Sequence, residues 1–302
     1  MRYTLENEYL LVEADENGAE LTSIRSKKDF TEYLWQADER YWRRHAPVLF
    51  PVVGSLSSKK LVINGADYPM GQHGFARDKI FKMVSRTDDT IWFALDSDEE
   101  IKERYPYDFR LEIGYILKDN TVKNIWRVTN TGDFANAGKL HYQIGGHPAF
   151  NCPLEREASS DNGKQSDYFF RFGTDAPIRY RLLNEKGLLV ETEYELATEG
   201  GYYKITDDMF DKDALIVEGS QTGEVSICLP DKRAYLTVIF DSPLFGLWSP
   251  AGKNAPFVCI EPWFGRADRD SFAGDIADRE YDQVLEAGES KEYSFTIRVD
   301  GI

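Results

Sequence analysis

Residues 110–128 read RLEIGYILKDNTVKNIWRV, two alternating runs of side chains on either side of a short polar turn. The side chains that share one face are Leu111, Ile113, Tyr115 and Leu117 in the first run, and Val122, Asn124, Trp126 and Val128 in the second. A period of two residues is typical of a strand with one buried face, and Asp119-Asn120 suits a tight turn. The segment therefore predicts an antiparallel hairpin that packs one face against a core.

The same pattern continues from this hairpin towards both ends of the chain. Runs separated by polar turns such as Asn17-Gly18 and Asn64-Gly65 predict strands at Tyr9–Ala14, Ala19–Ser26, Leu61–Ile63, Phe81–Arg86, Ile91–Leu95 and Tyr293–Val299. The expected helices are short and lie at Ser97–Tyr105 and Asp268–Asp278. No βαβ rhythm occurs, and strand-like sequence flanks the polar loop at 159–166. We expect residues 1–302 to form one all-β domain, a large antiparallel β-sandwich with a few short helices.

The composition is that of an acidic globular chain. Of 302 residues, 42% are hydrophobic and 29% charged, and the formal net charge is −16. Such a charge repels nucleic acid and anionic membrane surfaces, so neither is an expected partner. Cys152, Cys228 and Cys259 form no CxxC pair and are predicted to be reduced. Without an apolar signal stretch, or a run near the ~18 apolar residues of a membrane span, we expect a cytoplasmic protein.

Three segments interrupt the strand pattern and carry side chains suited to proton transfer. They are QHGFARD at 72–78, IGGHPAFN at 144–151 and CIEPWFGR at 259–266. His147 stands between two glycines and a proline, a constrained setting that suits a general acid. Glu261 follows an apolar run, and desolvation there would raise its proton affinity, which suits a general base. Trp263 or Phe264 could stack on the ring of a ligand.

Each segment also allows a purely structural interpretation. His73 could lie in an inert surface loop, His147 in an ordinary tight turn, and Glu261 in a surface ion pair with Arg266. The sequence contains no zinc-ligand spacing, P-loop, GxGxxG or GxSxG motif, so neither a metal nor a cofactor is expected.

Four blocks follow the order and spacing of the galactose mutarotase (aldose 1-epimerase) superfamily, and the chain resembles in particular its LacX-like branch. The blocks are APVLFPVVG at 46–54, QHGFAR at 72–77, GGHPAFN at 145–151 and CIEPWFG at 259–265. The resemblance implies a β-sandwich with a sugar site in an open cleft on one sheet. It also implies that His147 is the general acid and Glu261 the general base, and that His73 orients the sugar.

Further binding positions follow from the same resemblance. Gln72 and Arg77 match positions that bind substrate in related hexose-6-phosphate epimerases. Asp213 resembles the aspartate that binds sugar hydroxyls in the family, although Asp208 and Asp211 lie close to it in the sequence.

One departure from the family pattern bears on the substrate. Galactose mutarotases carry an arginine soon after the position of Gly54, whereas this chain has Ser55 at about that place. The resemblance therefore does not extend to a galactose-type hydroxyl contact, and it leaves the sugar unnamed.

The expected reaction interconverts the α and β anomers of an aldose by ring opening and closure, without a cofactor, in a monomer or homodimer. Three alternatives stay open. A hexose-6-phosphate 1-epimerase would meet the phosphate with Arg77, helped by Lys59 or Lys60. A non-catalytic sugar sensor on the same fold would need no acid–base pair. A glycoside hydrolase would need a second carboxylate in the site, which Asp268 or Asp270 could supply.

Overall fold

The computed structural model describes residues 1–133, 138–154 and 163–301. In chain order its strands are β1 (Arg2–Glu6), β2 (Leu10–Asp15), β3 (Glu20–Ser26), β4 (Val48–Leu49), β5 (Lys60–Ile63), β6 (Ala66–Pro69), β7 (Lys82–Arg86), β8 (Thr90–Asp96), β9 (Phe109–Lys118), β10 (Thr121–Asn130), β11 (Leu140–Tyr142), β12 (Ile144–Gly146), β13 (Ala149–Asn151), β14 (Phe169–Phe172), β15 (Ile178–Leu183), β16 (Leu189–Leu196), β17 (Tyr202–Lys204), β18 (Leu215–Glu218), β19 (Glu224–Cys228), β20 (Ala234–Phe240), β21 (Leu244–Trp248), β22 (Phe257–Phe264), β23 (Gln283–Leu285) and β24 (Ser290–Val299). The described helical elements are α1 (Glu99–Lys102) and 3₁₀ turns at Ala76–Asp78, Gln165–Asp167 and Ile276–Asp278. The loop predicted at 159–166 lies partly outside the described residues.

Two large antiparallel sheets form the sandwich. One has the strand order β17-β14-β19-β20-β24-β10-β9-β8-β7. The other has the order β16-β15-β18-β21-β22-β12-β4, with β13 also paired to β22. The hairpin predicted from residues 110–128 is β9–β10, in which Trp126 lies opposite Ile113. Strands β1–β3 make a separate three-stranded sheet, and β5–β6 and β11–β23 make two-stranded ribbons. The predicted all-β sandwich is therefore confirmed.

One hydrophobic core cluster takes side chains from both large sheets. Ile113 and Trp126 reach it from the nine-stranded sheet, and Val258 and Ile260 reach it from β22 in the other. Because side chains alternate along a strand, the residues of β22 that alternate with Val258 and Ile260 point away from this core. These outward-facing side chains are Phe257, Cys259, Glu261 and Trp263, two of which are predicted site residues.

Both predicted helices are shorter than expected. Within Ser97–Tyr105 only the single turn α1 forms, where the Asp98 carboxylate accepts a hydrogen bond of 2.8 Å from the Ile101 N–H as an N-cap. Within Asp268–Asp278 only the last three residues are helical. The backbone of Asp268 bonds instead to Ser55 and to Leu189 at the start of β16, which ties this segment to distant parts of the chain.

All three cysteines are buried free thiols, as predicted. Among the described residues, no helix has both the length and the hydropathy required to cross a bilayer.

Candidate active site

The three segments singled out in the sequence meet at a cavity of about 220 Å³ beside the outward face of β22. All the predicted site residues line it, namely Gln72, His73, Arg77, His147, Asp213, Glu261 and Trp263. The lining is completed by residues that the sequence did not point to, namely Trp42, Gly54, Leu183, Ala214, Ile216, Trp248 and Ala267.

His147 and Glu261 are in direct contact, with His147 Nε2 3.3 Å from Glu261 Oε2. Glu261 lies in the middle of β22, and His147 lies in the turn between β12 and β13, where its N–H donates to the Pro47 carbonyl at 3.0 Å. Only 1% of Glu261 and 7% of His147 are exposed. The two side chains therefore share one pocket, which is the condition for both to reach the same sugar ring.

Burial sets the protonation of this pair. It raises the pKa of Glu261 well above its usual value, and the nearby carboxylate of Asp213 adds to the effect. It lowers the pKa of His147 to about 3, and the positive charge of Arg77 acts in the same direction. Both shifts favour a neutral carboxyl group beside a neutral imidazole over a carboxylate–imidazolium pair, and the 3.3 Å contact lets a proton pass between the two side chains.

His73 is held in one tautomer by a backbone contact. Its Nδ1 accepts a hydrogen bond of 3.0 Å from the Gly54 N–H, so the proton of the neutral ring lies on Nε2. Burial, followed by the charge of Arg77, keeps the pKa of His73 well below its usual value. The backbone of His73 adopts a left-handed φ of 64°. The inert surface-loop interpretation is wrong, because the ring is buried and faces the cavity.

Glycines make room for the indole of Trp263. A Cβ atom at Gly145 would lie 2.6 Å from Trp263 Cδ1, and one at Gly246 would lie 2.5 Å from Trp263 Cη2. A Cβ at Gly146 would lie 2.9 Å from Trp126 Cζ2 in the core. The glycine pair before His147 therefore lets the chain pass between two indoles.

Trp263 and Phe264 were the predicted stacking rings, and they differ in position. Trp263 lines the cavity, although only 4% of it is exposed. Phe264 packs instead against Tyr293, with ring centroids 4.5 Å apart, beside the main core. Phe264 is therefore a packing residue.

Two half-buried tryptophans, Trp42 and Trp248, complete the aromatic wall. Trp42 stacks on the His147 imidazole with centroids 4.7 Å apart and planes inclined by 28°. Trp248 meets the same imidazole edge-on, at 5.3 Å and 84°. Trp42 has no periodic pattern around it, and its one signal in the sequence is that Tyr41-Trp42 are aromatic within an otherwise charged stretch.

Arg77 brings a positive charge to the cavity. Its Nη2 donates to the Gln72 carbonyl at 2.7 Å, while its buried Nε has no hydrogen-bond partner among the described residues. Burial, with a contribution from Arg44, lowers the pKa of Arg77 to about 10. No carboxylate of the described residues forms a salt bridge with Arg77, whereas Arg44 is paired with Asp78 at 2.8 Å.

Asp213 is the aspartate that reaches the cavity. It is exposed, has a left-handed φ of 70°, and accepts a hydrogen bond of 2.9 Å from the Ala214 N–H. Asp208 and Asp211 line a different depression on the surface. The sequence left open which of these three aspartates belongs to the site, and of the three it is Asp213 that lines the cavity.

Arg266 is not the partner of Glu261. Its Nε donates to Glu218 at 2.8 Å and its Nη2 to Glu280 at 2.5 Å. The interpretation of Glu261 as half of a surface ion pair with Arg266 is therefore wrong.

The aspartates considered for a hydrolase are also engaged elsewhere. Asp268 pairs with the buried Arg279 at 2.8 Å, and Asp270 pairs with Lys186 at 3.0 Å. Neither lines the cavity of Glu261. A glycoside hydrolase that uses one of them together with Glu261 is not supported.

Sandwich and site together define a protein of the sugar epimerase and mutarotase class. The family model for aldose 1-epimerase matches residues 1–298, and the chain belongs to that family.

The chain is 32% identical over 273 residues, 88% of each chain, to "Protein LacX, chromosomal" of Lactococcus lactis subsp. lactis. A galactose mutarotase related enzyme from Lactobacillus acidophilus superposes with a TM-score of 0.90 at 33% identity, covering 100% of this chain and 98% of that one. A galactose mutarotase-like protein from Lactobacillus casei also gives 0.90, at 28% identity and with 99% and 100% covered. The resemblance noted in the sequence is confirmed, and the family implies a sugar substrate.

Proposed function

We propose that this protein interconverts the α and β anomers of an aldose. The observation that carries the proposal is the 3.3 Å contact between His147 Nε2 and Glu261 Oε2 in a cavity walled by indole rings. Opening a hemiacetal requires one group to take the proton from the C1 hydroxyl and another to give a proton to the ring oxygen. Both oxygens are bonded to the same carbon, so two adjacent groups can serve both.

The proposed cycle begins when the proton held on Glu261 passes to His147 as a sugar binds. The Glu261 carboxylate then takes the C1 hydroxyl proton, the His147 imidazolium protonates the ring oxygen, and the bond from C1 to the ring oxygen breaks. Rotation about C1–C2 presents the other face of the aldehyde, and closure returns both protons. Each group contributes roughly 10²–10⁴-fold to the rate, and a held open-chain sugar keeps its orientation.

The other cavity residues suit the recognition of a sugar. The Nε2–H of His73 is available as a donor, and the half-buried rings of Trp42 and Trp248 offer faces for the C–H groups of a sugar. Gln72 and Asp213, both exposed at the cavity, can bond to hydroxyl groups.

The decisive experiment measures anomerisation by polarimetry or NMR exchange for His147→Asn and Glu261→Gln. We expect each substitution to lower kcat by about 100-fold or more. Glu193→Gln is the matched control, because it removes an exposed carboxylate that is paired with Arg179 and Arg181 outside the cavity. Rates near those of the unmodified protein in both site variants, with folding intact, would exclude this chemistry. Tight sugar binding without anomerisation by the unmodified protein would favour the sensor alternative.

A hexose-6-phosphate 1-epimerase is the second candidate, and one observation favours it. Arg77 reaches the cavity without a carboxylate partner among the described residues, so its charge is available to a phosphate. Lys60 does not assist, because it pairs with Asp67 and lines a separate cavity. Comparing kcat/KM for glucose and glucose 6-phosphate separates the candidates. If the phosphate is recognised, Arg77→Gln should lower kcat/KM for the phosphorylated sugar much more than for the free sugar.

A further inference from the structure

A third side chain with a potential ligand atom lies beside the His147–Glu261 pair, and the proposed reaction does not use it. Cys259 precedes Glu261 by two residues on β22, so both side chains point to the same face of the sheet. Three buried residues meet here, namely His147, Cys259 and Glu261. Each has one potential ligand atom, and these three atoms lie within 4.8 Å of one another. An imidazole nitrogen, a sulfur and a carboxylate oxygen thus converge at one point.

This donor set is one that binds borderline-soft divalent cations such as Zn²⁺. Bond lengths of about 2.0–2.3 Å to zinc place two ligands of a tetrahedral ion roughly 3.5 Å apart. His147 and Glu261, at 3.3 Å, already have this spacing. The thiol lies within 4.8 Å of both and needs a movement of only about 1 Å to join them.

The contact oxygen of Glu261 also points to a ligand at this place. Oε2 of Glu261 is buried and lies 3.3 Å from His147 Nε2, but it has no partner among the described residues with the geometry of a hydrogen bond. Buried polar atoms are almost always paired, so this oxygen is a candidate for an additional contact. A bound ion would displace the protons of the thiol and of the carboxyl group. The resulting thiolate and carboxylate would together cancel the charge of a divalent ion, which reduces the penalty for burying it.

We propose that His147, Cys259 and Glu261 form a site for a thiophilic divalent cation of the Zn²⁺ type, and that the bound ion blocks anomerisation. Because His147 and Glu261 line the sugar cavity, an ion bound to them would occupy both groups that the proposed reaction needs. The inhibition rests on the function proposed above, whereas the binding does not. Mg²⁺ and Ca²⁺ prefer sites made only of oxygen, so they leave the activity unchanged.

The test uses tag-free, metal-free protein under a phosphine reductant, titrated with Co²⁺ as a spectroscopic substitute for Zn²⁺. We expect one equivalent to produce a thiolate-to-cobalt charge-transfer absorption in the near ultraviolet. Cys259→Ala should abolish it, and Cys228→Ala, which removes another buried thiol, should retain it. One equivalent of Zn²⁺ should lower the anomerisation rate at least 10-fold, and a chelator should restore it.

Absence of the charge-transfer band in the unmodified protein, or its persistence in Cys259→Ala, would overturn the site. If Cys259→Ala does not fold, X-ray absorption at the zinc edge of the unmodified protein decides instead, since a shell without sulfur excludes the thiol. The two proposals fail in different ways. If the cobalt spectrum appears but metal-free His147→Asn and Glu261→Gln retain full anomerisation, the metal site stands and the proposed reaction does not.

Discussion

The indole of Trp42 lies over the imidazole of His147, with centroids 4.7 Å apart and planes inclined by 28°. An aromatic face stabilises a cation placed on it by roughly 0.5–2 kcal/mol. Trp42 therefore favours the imidazolium form that the proposed reaction needs, whereas burial favours the neutral ring and lowers the pKa of His147 to about 3. The stack also fixes the plane of the ring, so Trp42 is a positioning residue for the proposed acid.

Replacing Trp42 should separate packing from this electrostatic effect. Trp42→Phe retains an aromatic face, whereas Trp42→Leu retains apolar bulk without one. We expect kcat to fall about 10-fold in the leucine variant, the equivalent of roughly 1.4 kcal/mol, and far less in the phenylalanine variant. The pH dependence of kcat should also shift to lower pH in Trp42→Leu, because the imidazolium loses a stabilising neighbour. Equal kcat values in the two variants would argue against a role for the aromatic face.

The two nitrogens of His73 should have separable roles. His73→Asn keeps an acceptor near the position of Nδ1 for the Gly54 N–H but removes Nε2, whereas His73→Ala removes both. We expect both variants to lose at least 10-fold in kcat/KM. In the alanine variant alone, the buried Gly54 N–H is left unpaired, which should lower the free energy of unfolding by about 1–3 kcal/mol. Anomerisation kinetics and denaturant unfolding check the two effects. Equal stability of the two variants would show that the Gly54 contact is unimportant.

The sequence predicted those parts of the molecule that depend on local pattern. The period of two in residues 110–128 identified β9–β10, and motifs in three segments identified residues that meet at one cavity. Trp42 was not identified from the sequence, because its role depends on a stack with His147, more than 100 positions away. The stretch around Trp42 also has no periodic pattern. Local propensity also overestimated the helix at 268–278, where bonds from the backbone of Asp268 to Ser55 and Leu189 override it. Contacts between residues that are distant in the chain produce no regular spacing in the sequence, so a local pattern cannot predict them.

The glycine at 246 should be required by the indole of Trp263. An added Cβ would lie 2.5 Å from Trp263 Cη2, and the strand on which the glycine lies is paired on both sides. We expect Gly246→Ala to lower the free energy of unfolding by about 1–3 kcal/mol through overpacking and to raise KM as the indole moves into the cavity. Gly138→Ala is the control, because a Cβ there meets no atom of the described residues within 4 Å. Unchanged stability and KM in Gly246→Ala would mean that the indole is free to move aside.

Burial of the His147–Glu261 pair predicts how stability depends on pH. The pKa of His147 falls from its usual 6.5 to about 3, so between those values the unfolded chain binds one more proton at this residue. The pKa of Glu261 rises well above its usual 4.5, so above pH 4.5 the folded chain binds one more proton there. Stability rises with pH where the unfolded state binds more protons, and falls where the folded state does. The two contributions cancel between pH 4.5 and 6.5, so this pair makes no net contribution to the pH dependence there.

Above pH 6.5 only the Glu261 contribution of this pair remains, since His147 is then neutral in both states. His73, whose pKa is also lowered, likewise affects only the acid side. Until Glu261 ionises in the folded protein, the folded state binds one more proton than the unfolded chain. The free energy of unfolding should therefore fall by roughly 1.4 kcal/mol per pH unit. Glu261→Gln removes this loss, so its melting temperature minus that of the unmodified protein should increase with pH above 6.5, until the carboxyl group of Glu261 ionises in the folded protein. The same difference for Glu193→Gln, at an exposed carboxylate, should stay constant. A constant or decreasing difference for Glu261→Gln would mean that the carboxyl group is already ionised in the folded protein, and that the proton does not reside where burial places it.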